Sequence, residues 1–185
     1  PLAPSYDHVG PMASTVAGCV ELLHALAPEF EEQELASLGD LKVAAAWIEL
    51  AEPAVGERVR AAAAHFTDIE HLEFPLPDPE ENRLFMREVA DVHRALFPEH
   101  ADEYGERVRT KIEACLEVTD AEAVNAQRLR ALYREQCAEV LDGYDLLVTP
   151  TNAFVAPPDT VDEREIRRGG IRFTYPFDAL GWPAL

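Results

Sequence analysis

Apolar residues near the start of the chain recur every three or four positions, which is the spacing of one face of an α-helix. This stripe consists of Val16, Cys19, Val20, Leu23 and Leu26. Either Ser14 or Thr15 can cap the helix, and Pro28 is expected to end it. The beginning of the chain is therefore predicted to be an ordered loop that leads into a core helix.

The same spacing predicts further helices over 53–66, 80–97, 103–117 and 120–142. The last of these opens with a capping box, Thr119-Asp120-Ala121-Glu122, and Gly143 follows it where helices commonly end in the left-handed conformation. Its predicted apolar stripe is Leu129, Leu132, Tyr133, Cys137, Val140 and Leu141. The segment 151–170 has no such stripe and is predicted to be a loop.

Three short apolar runs, at 41–47, 69–74 and 145–149, are predicted to be strands. The first could also be a piece of helix, but its length of about seven residues and the Gly39-Asp40 turn before it favour a strand. The first two runs flank a predicted helix, and this order favours a parallel pair of strands with a helical crossover. The pattern thus predicts an α/β fold in which several helices cover the strands of the sheet.

The domain organisation follows from length and from the position of the prolines. A chain of 185 residues is long enough for one domain with a sizeable core, and no second domain is indicated. A proline-rich stretch at 75–81 is predicted to be an internal hinge. The chain opens without an initiator methionine and closes on an apolar segment, so we expect a fragment or a processed product.

Composition narrows the function classes. The formal net charge is -19, from 35 acidic and 16 basic residues, which disfavours binding to nucleic acid or to an anionic membrane. No apolar run approaches the roughly 20 residues of a membrane helix, and no secretory signal is visible. The three cysteines fit buried free thiols, so a cytoplasmic protein is expected.

Side chains that could carry chemistry are few. The three serines, Ser5, Ser14 and Ser37, lie outside any Gly-x-Ser-x-Gly turn, and a nucleophile needs an adjacent base. The histidines and cysteines show no metal-ligand spacing and no glycine-rich phosphate loop occurs, so no metal site and no cofactor are predicted. From the residues alone, this is an α/β domain without a visible active site.

Three motifs resemble those of amidase signature family hydrolases. The opening PLAPSYDHVGPMASTVA resembles the segment that follows the nucleophile, YDLLVTPT at 144–151 is similar to the family's D-x-L-L-T-P-T strand, and FTYPFDALGWPAL at 173–185 is similar to its F-T-x-P-F-N-x-x-G-x-P-A-L motif. All three occur in the family's order and spacing. The resemblance implies a partial amidase-signature fold with a mixed sheet, of which 1–185 would be the C-terminal part of a single amidase domain.

The resemblance also implies the chemistry of the complete enzyme. In a Ser-cis-Ser-Lys triad, the lysine acts through the bridging serine as base toward the nucleophilic serine, and a glycine-rich loop supplies the oxyanion donors. Those positions lie upstream of the opening motif, so no catalytic residue is assigned here and the isolated chain is expected to be inactive. Lys42 opens a predicted strand and Lys111 lies in an amphipathic helix, so neither replaces the missing lysine.

Site residues carried over from the family belong to the pocket wall. The last motif passes the acyl side of the substrate cleft, so Thr174 and Phe177 are candidate pocket residues, although ordinary core packing explains Phe177 equally well. Asp178 stands where the family usually has asparagine, and residues 6–8 are expected to order the loop behind the active site.

Two functional hypotheses remain at this point. The first is the C-terminal portion of a serine-dependent amidase that acts on a small-molecule amide in the complete protein. The second is a non-catalytic binding or interaction module derived from an amidase. Neither excludes a homodimer.

Overall fold

The computed structural model describes residues 1–32 and 35–184, and it confirms the α/β class. The strands are β1 (Val43–Ala45), β2 (Ile69–His71) and β3 (Leu146–Val148). The helices are α1 (Val16–Leu26), α2 (Pro53–Ala63), α3 (Asn82–His93), α4 (Phe97–His100), α5 (Glu106–Leu116), α6 (Asp120–Val140), α7 (Glu163–Gly170) and α8 (Tyr175–Leu180). Short 3-10 turns cover Leu38–Asp40, Ile48–Leu50, Pro79–Glu81 and Ala101–Glu103.

The described strands form a parallel sheet in the order β2-β1-β3. Val43 is in register with Ile69 on one side and with Leu146 on the other. Helix α2 connects β1 to β2, so the predicted β-α-β crossover is confirmed. The family resemblance implies a mixed sheet. The strands of the described residues are all parallel and correspond to only part of such a sheet.

The central position of β1 follows from its sequence. A strand covered on both faces must be apolar throughout, whereas a strand with one wet face alternates. All three residues of β1 are buried, while β2 carries Glu70 and His71 and is largely exposed. The apolar run at 41–47 therefore lies in the middle of the sheet and the more polar run lies at its edge.

The helical part is built around α3, which packs against both α5 and α6. The predicted capping box of α6 is confirmed: Thr119 Oγ1 accepts a hydrogen bond from the N–H of Glu122 at 3.3 Å, and Glu122 Oε2 accepts one from the N–H of Thr119 at 2.9 Å. Gly143 has a φ of 77°, as predicted. At the start of α1, Thr15 is the capping residue, and its side chain accepts from the N–H of Gly18.

One predicted helix boundary and one predicted loop are corrected. The helix predicted over 80–97 ends at His93, and α4 begins separately at Phe97. Pro98 explains the break, because it has no N–H and its ring would clash with the carbonyl group of Arg94 in a continuous helix. The segment 151–170, predicted to be a loop, contains α7, whose sequence EREIRRGG holds one large apolar residue and hence no apolar stripe to detect.

The apolar stripes of α1 and α6 also differ from the prediction. Helix α1 contains no buried residue, so it is not the core helix that was expected, and Cys19 is only half-buried. In α6 the buried positions are Ala126, Arg130, Tyr133 and Cys137. Leu132, which was assigned to the stripe, is exposed.

The proline-rich stretch at 75–81 is held at both ends. The indole N–H of Trp47 donates to the carbonyl oxygen of Phe74 at 2.8 Å. The hydroxyl group of Tyr133 donates to the carbonyl oxygen of Pro75 at 3.4 Å. Glu81, at the other end, is fully buried. Motion about a hinge in this stretch stays a prediction.

No helix among residues 1–32 and 35–184 is both long enough and apolar enough to cross a membrane.

The capping box gives a direct stability test. Thr119→Ala removes the acceptor of the Glu122 N–H, and we expect it to lower the free energy of unfolding by about 1 kcal/mol. The measurement is urea denaturation followed by far-ultraviolet circular dichroism. Thr110→Ala is the matched control, because Thr110 lies inside α5 and its hydroxyl group donates, within the part of the chain that the structure describes, only to the carbonyl oxygen of Glu106. Equal effects of the two substitutions would contradict a special role for the cap.

Candidate functional site

The carboxyl ends of parallel strands meet at one edge of a sheet, and this is where α/β proteins place ligand sites. Trp47 follows β1, Phe74 follows β2 and Pro150 follows β3 at this edge. All three residues are buried. The edge is thus closed by large apolar side chains.

Aromatic rings make up most of this closure. Trp47 stacks on Phe173 with ring centroids 5.6 Å apart and an angle of 18° between the planes. It is tilted against Phe74 at 5.5 Å and against Phe177 at 5.8 Å, and Trp182 contacts Phe74 at 6.3 Å. These five residues, called the aromatic cluster below, join the end of β1 to α8 and the residues on either side of it.

The backbone of Trp47 shows how firmly this cluster is held. Its φ is 62°, in the left-handed region, and such a conformation costs a non-glycine residue about 1–3 kcal/mol. The conformation turns the chain sharply from β1 into the 3-10 turn at Ile48–Leu50. Burial of the indole ring and its hydrogen bond to Phe74 stabilise this turn.

The two candidate pocket residues lie at the start of α8. Phe177 is half-buried in the aromatic cluster, while Thr174 immediately precedes the helix and is exposed. Two surface depressions, of about 280 and 400 Å³, lie near His100 and near Arg60, and neither includes Thr174 or Phe177. Phe177 thus makes the packing contacts of the alternative interpretation, and a substrate-lining role for either residue stays a prediction.

Next to the aromatic cluster lies a group of buried polar side chains around Glu81. The carboxyl group of Glu81 accepts hydrogen bonds from the hydroxyl groups of Tyr6 and Tyr175, each at 2.5 Å. Nε of Arg130 lies 4.0 Å from the same carboxyl group. Buried polar groups are costly unless they are hydrogen-bonded, and these are. We call Tyr6, Glu81, Arg130 and Tyr175 the polar cluster.

Arg130 is the most highly connected member of this cluster. Its guanidinium group donates to the carbonyl oxygens of Ala179 at 2.7 Å and Ser5 at 2.7 Å, and to Oγ of Ser5 at 2.5 Å. It also lies over the ring of Tyr6, 4.0 Å from the centroid. Arg130 thereby binds α6 to the opening loop and to α8 at the same time.

The tyrosine hydroxyl groups of the polar cluster remain protonated. Burial raises the pKa of Tyr6 and the pKa of Tyr175, and the neighbouring Glu81 raises both further. A protonated phenol can donate to the carboxyl group, which is what both side chains do. The two phenol groups therefore act as hydrogen-bond donors that hold the opening loop and α8 against Glu81.

Asp7 and His8 of the opening loop contact other parts of the chain, and their expected position behind an active site stays a prediction. Asp7 Oδ2 accepts from the N–H groups of Leu2 and Ala3, which ties the start of the chain into a turn. His8 Nδ1 lies 3.6 Å from the carboxyl group of Asp178. Asp178 thus finds a partner where the family usually has asparagine, and desolvation raises its pKa.

Ser5, Ser37 and Lys42, which were considered as nucleophile or base, have other partners. The hydroxyl group of Ser5 donates to Glu88 and accepts from Arg130, and Ser37 caps a 3-10 turn. The ammonium group of Lys42 lies over the ring of Tyr144, 4.3 Å from its centroid. Burial raises the pKa of Cys137 to about 11, so its thiol is not activated.

Sequence reasoning missed the polar cluster. Glu81 was assigned to a hinge and Tyr175 only to a motif, and Arg130 was left out of the stripe of α6. A signal was present, since Ala126, Arg130, Tyr133 and Cys137 share helical spacing and all are buried. An arginine at such a position needs buried acceptors, but the sequence does not show which ones.

Several solved structures contain a part that has the same fold as this chain. An amidase, known from its crystal structure, matches with a TM-score of 0.81 and 24% identity over 98% of this chain and 45% of its own. A protein from a vestigial complex, described as revealing the evolutionary origins of an s-triazine catabolic enzyme, matches with a TM-score of 0.77 and 18% identity over 100% of this chain and 48% of its own. Its inhibitor-bound complex matches over 98% and 46%.

These likenesses show the fold: this is an α/β chain with the architecture of part of an amidase. The chain spans less than half the length of the matched amidase and of the matched s-triazine-related protein. No family model and no curated protein matches the chain. The resemblance to the amidase signature family therefore rests on the three motifs, and the structural comparisons show the fold alone.

Proposed function

We propose that this chain is the C-terminal portion of a serine-dependent amidase that hydrolyses the C–N bond of a small-molecule carboxylic amide. The observation that carries the proposal is the match of 98% of the chain to 45% of an amidase with a TM-score of 0.81. The three motifs support it independently, because they occur in the order and spacing of the amidase signature family. In this proposal the Ser-cis-Ser-Lys triad lies in polypeptide N-terminal to Pro1.

The proposed chemistry is acyl transfer to serine followed by hydrolysis. The lysine, through the bridging serine, takes the proton of the nucleophilic serine, which attacks the amide carbonyl carbon. Backbone N–H donors stabilise the oxyanion, the amine leaves, and water then releases the acid. None of these groups is assigned to this chain.

The role proposed for this chain is to hold the acyl side of the cleft. Thr174 and Phe177 are proposed to line it, and the polar cluster fixes their position. Arg130 bonds to Ala179 in α8 and to Ser5 in the loop that follows the nucleophile in the family. The segment that leaves the catalytic centre and the segment that lines the pocket are thereby held against the same helix.

Labelling by a fluorophosphonate serine probe tests the proposal. We expect no labelling of the 185-residue chain, because the hydroxyl groups of Ser5 and Ser37 are engaged in structural hydrogen bonds and Ser14, like both of them, lies outside any nucleophile motif. The same chain joined to the polypeptide that its gene encodes upstream of Pro1 should be labelled at one serine in that added part. Labelling of the 185-residue chain, or none of the extended one, would contradict the proposal.

A non-catalytic interaction module is the second candidate. It is favoured by one observation, the exposure of the apolar helix α1, which provides a surface for another polypeptide. The labelling experiment separates the two, since an extended chain that folds but never reacts with the probe would favour the module.

A further inference from the structure

Helix α8 has one side in the core and one side open to solvent. Pro176, Ala179 and Leu180 are buried, whereas Asp178 and the preceding Thr174 are exposed. Thr174 and Asp178 are four positions apart, and residues at this spacing are neighbours on one side of a helix, with Cβ atoms about 5–6 Å apart. A ligand that contacts the candidate pocket residue Thr174 therefore comes within reach of Asp178.

The carboxyl group of Asp178 accepts no hydrogen bond from the residues that the structure describes. His8 Nδ1 lies 3.6 Å from Oδ1, which is longer than an ordinary hydrogen bond. The side chains of His8 and Asp178 are 46% and 52% exposed, so both also face solvent. A carboxylate has about four acceptor sites, and those of Asp178 are open to a donor from a ligand.

The charges that face Asp178 favour a cationic ligand over an anionic one. Asp7 is a second carboxylate and His8 is an imidazole, and these are the two charged side chains that act on the carboxyl group of Asp178. The whole chain has a formal net charge of -19, and such a field attracts cations and repels anions. An anionic ligand would meet two carboxylates here, whereas a protonated amine would meet a suitable partner.

Two arginines of α6 contact the backbone of α8 rather than this carboxyl group. Arg130 donates to the carbonyl oxygen of Asp178 at 3.3 Å, and its guanidinium group already faces Glu81 at 4.0 Å. Nε of Arg134 donates to the carbonyl oxygen of Ala179 at 3.1 Å. Within the described part of the chain, neither arginine forms an ion pair with the carboxyl group of Asp178.

We propose that Asp178 selects amides whose acyl part carries a protonated amine, by binding the ammonium group while Thr174 and Phe177 contact the rest of the acyl chain. This inference rests on the proposed function, because the amidase resemblance assigns α8 to the acyl side of the cleft. The asparagine that the family usually has at this position is a neutral amide, which both donates and accepts hydrogen bonds. Aspartate adds a negative charge there, and this charge distinguishes a cationic acyl group from a neutral one.

Competition with fluorophosphonate labelling tests this selectivity. The protein is the 185-residue chain joined to the polypeptide that its gene encodes upstream of Pro1. The competitors are β-alaninamide and butyramide, which have equal length and differ in an ammonium group against a methyl group. We expect β-alaninamide to halve the labelling rate at about 10-fold lower concentration than butyramide, because a hydrogen bond to a charged group is gained. Work at pH 8 limits the charge on ordinary imidazole groups.

Asp178→Asn should remove this preference, so that the two amides compete at about equal concentrations. Asp142→Asn is the matched control, because Asp142 is exposed beyond the end of α6 and its replacement changes the net charge by the same amount. The control should keep the preference. Far-ultraviolet circular dichroism shows whether each variant is folded. If Asp178→Asn is unfolded, Asp178→Ser replaces it and should likewise lose the preference.

The same experiment separates failure of the inference from failure of the proposed function. Labelling that both amides slow equally, or that neither amide slows, overturns the inference and leaves the proposed function in place. A preference for β-alaninamide that survives in Asp178→Asn, or that is lost to the same degree in Asp142→Asn, overturns the role of Asp178. Absence of labelling contradicts the proposed function and the inference together.

Discussion

Replacing Arg130 with alanine is expected to lower the free energy of unfolding by about 3–5 kcal/mol, the cost of removing one partner from a buried charged network. Arg130 is 6% exposed, and its guanidinium group serves acceptors on Ser5, Asp178 and Ala179. Without it, these acceptors lose a donor and the fully buried carboxyl group of Glu81 loses its cationic neighbour. The effect should be among the largest of any single polar substitution in the chain.

Urea denaturation at neutral pH measures this loss. Arg128→Ala is the matched control, because Arg128 lies on the same helix, is exposed and, among the described residues, donates only to Asn125 at 3.3 Å. It should change the free energy of unfolding by less than about 0.5 kcal/mol. Arg130→Lys should recover only part of the loss, because an ammonium group cannot reproduce the planar fork of donors. Full recovery with lysine would show that the charge alone is needed.

Phe173→Ala is expected to lower the free energy of unfolding by about 3–5 kcal/mol as well, through a cavity rather than through lost hydrogen bonds. Phe173 is 1% exposed and is the largest of the fully buried side chains of the described residues. Its removal takes away the ring that stacks on Trp47, and the left-handed turn at Trp47 loses part of the packing that stabilises it.

The measurement is again urea denaturation, followed here by tryptophan fluorescence, which also reports the environment of Trp47. A red-shifted emission of the folded variant is expected, since water gains access to the indole ring. Leu96→Ala is the control, because Leu96 is an apolar residue on the surface. Its replacement should change the free energy of unfolding only slightly. A loss below about 1 kcal/mol for Phe173→Ala would mean that the aromatic cluster collapses to fill the space.

Local features of the fold were predicted well where the determinants are neighbours in sequence. The capping box at Thr119–Glu122 involves residues three positions apart, and the left-handed conformation of Gly143 depends on glycine alone. The crossover through α2 follows from the alternation of apolar runs. The break before Pro98 could also have been predicted, since it needs only the missing N–H of proline.

The candidate site was predictable only in part. The resemblance drew attention to the last motif, and the structure places Phe177 in the aromatic cluster and Thr174 beside it. Glu81 could not be recognised in advance, because a glutamate in an acidic, proline-rich stretch is typical of exposed chain. Its burial depends on Tyr6 and Tyr175, which are remote from it in sequence.

By itself, the sequence determined the class of fold, the crossover between β1 and β2, the capped start of α6 and the motifs that carry the family resemblance. Tertiary structure decided which polar side chains meet in the interior and which apolar surface stays uncovered. The physical reason is that capping and periodicity act over three or four residues, whereas burial is a property of the assembled chain. Arg130 and α1 show this in opposite directions: a charged residue becomes buried because acceptors converge on it, and a helix with an apolar stripe contains no buried residue because the other described residues do not enclose it.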